Sequence, residues 1–154
     1  MSAGDITLLV EEPGWRKTRG LTTRLTEAAQ VALKAAGFKG KSALTILLSN
    51  DARLKALNRD FRGKNKPTNV LSFPAADNAG NYRGDIALAL GVTQKEARES
   101  GKAFGDHASH LVVHGVLHLA GHDHEQDADA PRMEALEVKI LKGMGISDPY
   151  KATA

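Results

Sequence analysis

The segment over residues 107–124 constrains the fold of this chain more than any other, because it combines an apolar helical pattern with all six histidines. His110, His114 and His118 follow one another at intervals of four residues. This spacing places them on one face of a helix, with about 5–6 Å between neighbouring Cβ atoms. Gly121 is the residue type that commonly ends a helix. The segment therefore predicts a central helix with imidazoles along one face.

Two histidines one turn apart can share a metal ion, and the turn after Gly121 can bring a third, His124, to the same point. Three neutral nitrogen ligands with an open fourth position are typical of a catalytic zinc site. The chain has no cysteine, which excludes a thiolate-rich structural zinc site. The spacing therefore predicts a site formed by His114, His118 and His124, with zinc or another late first-row ion as the cofactor.

The histidine pattern also leaves alternatives open. The helical pair could be His110 and His114, although a third ligand from beyond the helix favours the pair nearest its end. His110 would then lie beneath the site as a packing group or as a hydrogen-bond partner of a ligand. His122 competes with His124 for the third position. Asp123 is suited to accept an N–H from a ligand imidazole or to form the turn.

Strand and helix patterns are mixed along the rest of the chain without strict alternation. Apolar and β-branched runs predict four strands, at 5–11, 43–49, 70–74 and 84–90. Helical spacing and capping residues predict five helices, at about 15–36, 51–58, 93–104, 107–120 and 130–142. We expect an α+β fold in which a small, mostly mixed four-stranded sheet packs against about five helices, with the metal site at the end of a central helix. The 154 residues contain no linker, which predicts one domain over 1–154.

Composition limits the classes of partner. No apolar stretch approaches the roughly 18–20 residues that a membrane span requires. Acidic residues near the start favour a first strand over an export signal, and the absence of cysteine fits a reducing cytoplasm. Six basic residues against two acidic ones lie between Asp51 and Lys66. This cluster indicates an anionic partner.

The motif H-G-V-L-H-L-A-G-H-D-H, at 114–124, resembles the H-G-x-L-H-L-x-G-Y-D-H signature of the YbeY family of bacterial endoribonucleases. The resemblance spans roughly residues 45–141 without a large insertion. It departs from the family pattern at His122, where the family usually has tyrosine, and at Arg83, where leucine is common. Three other segments resemble further family motifs: Leu57 to Pro74, G-D-I at 84–86, and the M-x-x-x-E-x-x-x-L pattern formed by Met133, Glu137 and Leu141.

The resemblance implies a zinc-dependent, single-strand-specific endoribonuclease of the cytoplasm, acting in 3′-end maturation of 16S rRNA and late ribosome quality control. The implied partners are single-stranded RNA, small-subunit rRNA, and the ribosome or ribosomal proteins; neither DNA nor a membrane is expected. The resemblance carries the ligand roles onto His114, His118 and His124. It also makes Arg62 the catalytic arginine, whose planar guanidinium suits phosphate oxygens.

The basic cluster is expected to bind the RNA backbone, with Arg59, Lys64 and Lys66 as phosphate contacts. Aromatic side chains on which bases could stack are scarce in this part of the chain. The candidates are Phe61, Phe73 and Tyr82, of which Phe73 is expected to belong to the core. Ser72 and Asn69 are candidates for facing the metal pocket. Asp85 is a candidate for bonding a ligand loop or capping a strand end.

Gly115 separates this motif from metalloproteases of the H-E-x-x-H type, which carry a glutamate immediately after the first histidine as the general base. Glycine cannot accept a proton, so the pattern favours metal-assisted phosphodiester cleavage over peptide hydrolysis. The leading alternative is a non-catalytic RNA-binding factor of ribosome assembly with a mainly structural metal. A metalloprotease-like hydrolase is the second alternative.

Overall fold

The computed structural model describes residues 4–38, 40–76, 79–121 and 130–150. Its elements in chain order are β1 (Gly4–Val10), a 3-10 turn (Pro13–Arg16), α1 (Leu21–Ala35), β2 (Ser42–Ser49), α2 (Asp51–Arg62), β3 (Val70–Pro74), β4 (Tyr82–Ala89), α3 (Leu90–Ser100), α4 (Phe104–Leu119) and α5 (Ala130–Gly143). The predicted α+β class is therefore confirmed. Within these described ranges, no helix is both long and apolar enough to cross a membrane.

The four strands form one mixed sheet in the order β1-β2-β4-β3. Strands β1, β2 and β4 run parallel, and β3 pairs with β4 in the antiparallel direction. Ile86 of β4 lies between Ile46 of β2 and Ser72 of β3 in this register. Strands β1 and β3 are consequently the two edges of the sheet.

The two faces of the sheet are covered to different extents. The face under α1, α4 and α5 carries the main core, which includes the buried strand residues Leu44, Ile46, Leu48, Ile86 and Leu88. Fully burying a side chain of this size contributes about 1.5–3 kcal/mol. On the other face, α2 and α3 pack over β3 and β4 through a smaller cluster that includes Leu54 and Leu71. Leu9 of β1 remains 52% exposed there, so part of this second face is uncovered.

The predicted start of the first helix was wrong. Helix α1 begins at Leu21, not near residue 15, because Gly20 precedes it with φ +76°, a conformation that glycine adopts at little cost. The residues before it form the 3-10 turn, which buries Trp15 completely. The Trp15 indole Nε1 donates to the Ser49 carbonyl over 2.9 Å. This tertiary contact decides the local conformation.

Helix α2 extends one turn beyond the predicted end at Asn58. It stops at Gly63, which has φ +70°. The side chain of the buried Asn58 donates to the Lys66 carbonyl over 3.0 Å and holds the following segment against the helix. Arg59 and Arg62 therefore lie on the last turn of a helix and not in a loop.

The boundary between α3 and α4 also differs from the prediction. Helix α3 begins at Leu90, before the predicted residue 93, and the Thr93 hydroxyl inside it donates to the Ala89 carbonyl one turn earlier over 2.6 Å. Helix α3 ends at Gly101, which has φ +69°. Gly105 lies in the first turn of α4, within the predicted gap between the two helices. A Cβ at Gly105 would lie 2.3 Å from the Arg24 guanidinium, the end of a flexible side chain that would have to move.

Candidate metal centre

Helix α4 is the central helix, in contact with α1, α3, α5, β3 and β4. Its inner face consists of buried apolar residues that include Val112, Val113, Val116 and Leu117. His110, His114 and His118 are only partly buried and follow one another along another face, as their spacing predicts. The next residues confirm the predicted helix end, because Gly121 adopts φ +92° directly after the helix.

His114 and His118 bring two ring nitrogens close together. The His114 Nε2 atom lies 3.1 Å from His118 Nε2. Two tetrahedral ligands, each about 2.0–2.1 Å from a zinc ion, have nitrogens about 3.3 Å apart. The separation of this pair therefore fits a shared metal ion.

Glu137 is the residue that sequence reasoning left without a role. It lies on α5 and is fully buried, with 0% exposure, facing the histidines of α4. Its Oε1 is 2.5 Å from His114 Nδ1, and its Oε2 is 2.9 Å from His110 Nε2. The Tyr150 hydroxyl donates to the same Oε2. Because a carboxylate only accepts hydrogen bonds, this arrangement places a proton on His114 Nδ1 and leaves Nε2 with its lone pair.

Glu137 is ionised despite its burial. Burial opposes ionisation, but the hydrogen bonds from His110, His114 and Tyr150 outweigh it and lower the pKa of this carboxyl to about 2. Tyr150 responds in the opposite direction, since partial burial and the bond to Glu137 raise the pKa of its hydroxyl. The phenol therefore remains a donor, and the buried negative charge is stabilised by three donors of the protein itself.

The described side chains could hold a metal ion in two ways. His110, His114 and Glu137 offer ligand atoms that all lie within 4.8 Å of one another. In the other arrangement, His114 and His118 share the ion through Nε2, and Glu137 orients His114 from behind. The second arrangement fits the chemistry of the donors better. The oxygens of Glu137 already accept from two imidazoles and a phenol, whereas the two Nε2 atoms converge.

His107 does not join this group. Its Nε2 lies 2.9 Å from Glu96 Oε1, at the end of α4 remote from His118. Burial lowers the pKa of His107, and the hydrogen bond and charge of Glu96 oppose this only in part. His107 is thus a neutral, structural histidine that shares the helix with the candidate ligands.

Position 115 leaves little room for a side chain larger than glycine. Gly115 is buried, and a Cβ there would lie 3.0 Å from Ile86 Cγ2 and 3.1 Å from Ser72 Oγ. The position thus faces the sheet, beside the face of α4 that carries the histidines. Ser72, a predicted site candidate, donates its hydroxyl to the Gly115 carbonyl over 3.0 Å. Its observed role is to attach α4 to the edge strand β3 next to His114.

The predicted basic residues gather at the end of α2. Arg59, Arg62, Lys64 and Lys66 are all exposed. Arg59 forms an ion pair with Asp60 over 2.9 Å, and the hydrogen bond and charge of Asp60 raise its pKa. Helix α2 packs on the face of the sheet opposite α4, with the basic residues at its C-terminal end and in the segment that follows.

Asp85 and Asn69 lie away from the histidine pair. Asp85 shares the second face of the sheet with Phe73 and accepts a hydrogen bond from the Tyr82 hydroxyl. The Asn69 amide donates to Glu96 over 3.0 Å. The predicted residues His122, Asp123 and His124 lie outside the described residues.

Comparison with known proteins identifies the family. The family described as "Endoribonuclease YbeY" matches residues 13–145. The protein named Endoribonuclease YbeY from Maricaulis maris is 45% identical over 145 residues, covering 94% of this chain and 91% of that protein. That from Chelativorans sp. is 50% identical over 139 residues, covering 86% and 82%.

A solved structure agrees with this assignment. The solution structure of a Thermotoga maritima protein superposes with a TM-score of 0.64 at 30% identity, covering 95% of this chain and 99% of that one. The family match extends over most of the chain, and the relatives are matched over most of their own length. The resemblance found in the sequence motifs is thereby confirmed: this chain belongs to the YbeY family of endoribonucleases.

Proposed function

We propose that this protein is a metal-dependent endoribonuclease that hydrolyses phosphodiester bonds in single-stranded RNA. Its relatives at 45% and 50% identity carry the name endoribonuclease, which supports the reaction class. We further propose that it acts in the cytoplasm in 3′-end maturation of 16S rRNA and late ribosome quality control. Its partners are then small-subunit rRNA and the ribosome or ribosomal proteins. The whole chain, 1–154, is proposed to form one domain.

The proposed metal ligands are His114, His118 and His124, with zinc or another late first-row ion bound. The observation that carries the proposal is the 3.1 Å separation of the His114 and His118 Nε2 atoms, with His114 oriented through Nδ1 by the buried Glu137. When bound, a divalent ion supplies Lewis acidity for phosphodiester hydrolysis. Among the residues beyond the described helix end, Asp123 is proposed to orient a ligand, and His122 to act beside the site.

The exposed basic residues at the end of α2 are proposed to bind the RNA backbone. Arg59, Lys64 and Lys66 would contact phosphates in a salt-dependent way that carries no sequence preference. Arg62 is proposed as the catalytic arginine, because its planar guanidinium can make two parallel hydrogen bonds to phosphate oxygens as negative charge develops. The exposure of all four side chains makes them accessible to an RNA backbone.

Peptide hydrolysis is disfavoured by the surroundings of Gly115. The Cβ of a glutamate there would press against Ile86 and Ser72, which would have to shift to accommodate it. The native glycine lacks the general base of the H-E-x-x-H mechanism.

The proposal is tested by measuring metal content and cleavage of a single-stranded oligoribonucleotide by the wild type, His114→Ala and His118→Ala. We expect one zinc per wild-type chain, with cleavage and stoichiometric zinc both lost in the two variants. His107→Gln is the matched control, because His107 lies on the same helix but bonds Glu96 instead. Cleavage by pure His114→Ala protein would disprove the proposal. Metal and RNA binding without cleavage would instead identify a non-catalytic assembly factor.

A further inference from the structure

Phe61 is the most exposed large hydrophobic side chain in the described part of the chain, at 69%. Single exposed apolar residues are common on protein surfaces and need no explanation by themselves. Phe61 differs because its ring is held in place. The ring packs against Phe73 with 5.4 Å between the centroids and an interplanar angle of 70°, an edge-to-face arrangement. The protein thus fixes an aromatic ring at its surface.

This ring borders a cavity on the second face of the sheet. The cavity has a volume of about 460 Å³ and is lined by residues that include Leu9, Thr45, Leu57, Phe61 and Phe73. It exists because α2 packs over β3 and β4 and leaves the β1 side of this face uncovered. Its size lies within the range of small-ligand sites, about 300–1,000 Å³.

The charges around Phe61 favour an anionic chain as the occupant. Arg59 and Arg62 share its helical turn, and Lys64 and Lys66 follow within five residues. The acidic groups of the cavity already have partners in the protein. Glu11 accepts from the Ser49 hydroxyl and lies 3.6 Å from the Arg53 guanidinium, and Asp85 accepts from the Tyr82 hydroxyl. The cavity lining includes one basic residue, Arg53. The four basic residues at the end of α2 lie beyond that lining and close to Phe61 in the chain, and Arg59 among them pairs with Asp60.

We propose that Phe61 is a stacking platform for an unpaired base of single-stranded RNA, with the flanking basic residues bound to the adjacent phosphates. A basic surface with an exposed aromatic ring is the usual construction of sites for single-stranded nucleic acid. A base in a duplex is already stacked on its neighbours, so this platform selects unpaired RNA without reading its sequence. The inference rests on the proposed function and specifies where that substrate binds.

The platform and the histidines are joined by one strand. Phe73, which supports Phe61, is adjacent in β3 to Ser72, which bonds the backbone of α4 beside His114. Strand β3 is an edge of the sheet. An RNA chain that passes around this edge can therefore place one base on Phe61 and a phosphodiester further along the chain near the histidines.

The test measures binding of a labelled single-stranded oligouridylate by fluorescence anisotropy at low temperature, with the integrity of the RNA checked by gel afterwards. An oligonucleotide of equal length that carries no bases is measured in parallel. Phe61→Ala should weaken binding of the oligouridylate about 5- to 150-fold, the loss expected for one base–aromatic stack. Binding of the abasic chain should be unchanged, since its phosphates still meet the basic residues.

Two further variants make the comparison specific. Val31→Ala removes another exposed apolar side chain, 41% exposed on α1, and should leave both affinities unchanged. Phe61→Trp should retain binding, and its fluorescence should be quenched by the oligouridylate. The native Trp15 is fully buried and adds only a constant background.

The outcomes separate the inference from the proposed function. If the wild type binds and cleaves single-stranded RNA but Phe61→Ala binds oligouridylate equally well, the stacking platform is disproved and the proposed function stands. Equal loss of affinity for the abasic chain would also overturn the inference, because it indicates a lost phosphate surface. If the wild type neither binds nor cleaves, both proposals fail.

Discussion

The substitution Glu137→Gln tests whether the buried carboxylate orients His114. Glutamine keeps the shape of the side chain but replaces one acceptor oxygen with an NH₂ donor. Three donors face this carboxylate, from His110, His114 and Tyr150. With a single oxygen left to accept, at least one of these donors meets another donor. His114 can then hold its proton on Nε2, the nitrogen that faces His118.

Two magnitudes follow from this arrangement. Removing the hydrogen-bonding partner behind a metal ligand commonly lowers metal affinity about 10- to 100-fold, and we expect that range for zinc. Hydrogen bonds to a charged group contribute about 1.5–3 kcal/mol each, partly offset here because the variant no longer buries a charge. The unfolding free energy of the metal-free protein should thus fall by about 1–3 kcal/mol. A domain of this length loses about 2–4 °C of Tm per kcal/mol.

Zinc affinity is measured by competition with a chromogenic chelator, and Tm by calorimetry on the metal-free protein. Glu134→Gln is the matched control, since Glu134 is an exposed glutamate on the same helix. It should leave zinc affinity at the wild-type value and Tm within about 2 °C, as surface substitutions usually do. If Glu137→Gln binds zinc as tightly as the wild type, the carboxylate does not orient His114, and the argument from the buried Glu137 is refuted.

Two further predictions concern other positions on α4. Gly115→Glu should lower the free energy of unfolding in urea by more than about 1–3 kcal/mol, because even a Cβ there would lie 3.0 Å from Ile86 Cγ2. The variant should have no peptidase activity. A variant as stable as the wild type, or one that cleaves peptides, would contradict this. His107 should make stability fall in acid: burial lowers its pKa in the folded protein, so the unfolded chain binds the proton more readily. Its contribution is present above the unfolded pKa of about 6.5 and is lost as pH falls below it. His107→Gln should flatten the slope of urea-derived stability between about pH 7 and 5, and an unchanged slope would refute the assignment.

Sequence patterns predicted the features that depend on residues close together in the chain, such as a helix face, a helix end and individual strands. The interval of four residues between His114 and His118 fixes their shared helix face through the helical repeat alone. Gly121 ends the helix because it adopts φ +92°, which is a property of one residue. The apolar runs at 43–49 and 84–90 likewise predicted β2 and β4 to within two residues at each end.

The parts that the sequence did not reveal depend on tertiary contacts. His114 and Glu137 are 23 residues apart and meet only because α5 packs against α4. A signal was nevertheless present, since Glu137 lies four residues from both Met133 and Leu141 on the buried face of α5. A carboxylate at the centre of such a face is rarely buried without partners. The pattern therefore predicts that hydrogen-bond donors surround this carboxylate, but it does not identify them as two imidazoles and a phenol.

The hydrogen-bond partners of Glu137 bear on whether the proposed metal site is catalytic or structural. Small domains that depend on a structural zinc are unfolded without the metal. Here the carboxylate is satisfied by donors from α4 and from Tyr150 near the end of the chain, and the core of α1, α4 and the sheet is extensive in itself. The contacts that orient His114 are therefore supplied by the protein itself, through Glu137. Such preorganisation serves a site that must hold an ion in a defined geometry toward a substrate. It accordingly favours the proposed ribonuclease over an assembly factor whose metal is mainly structural.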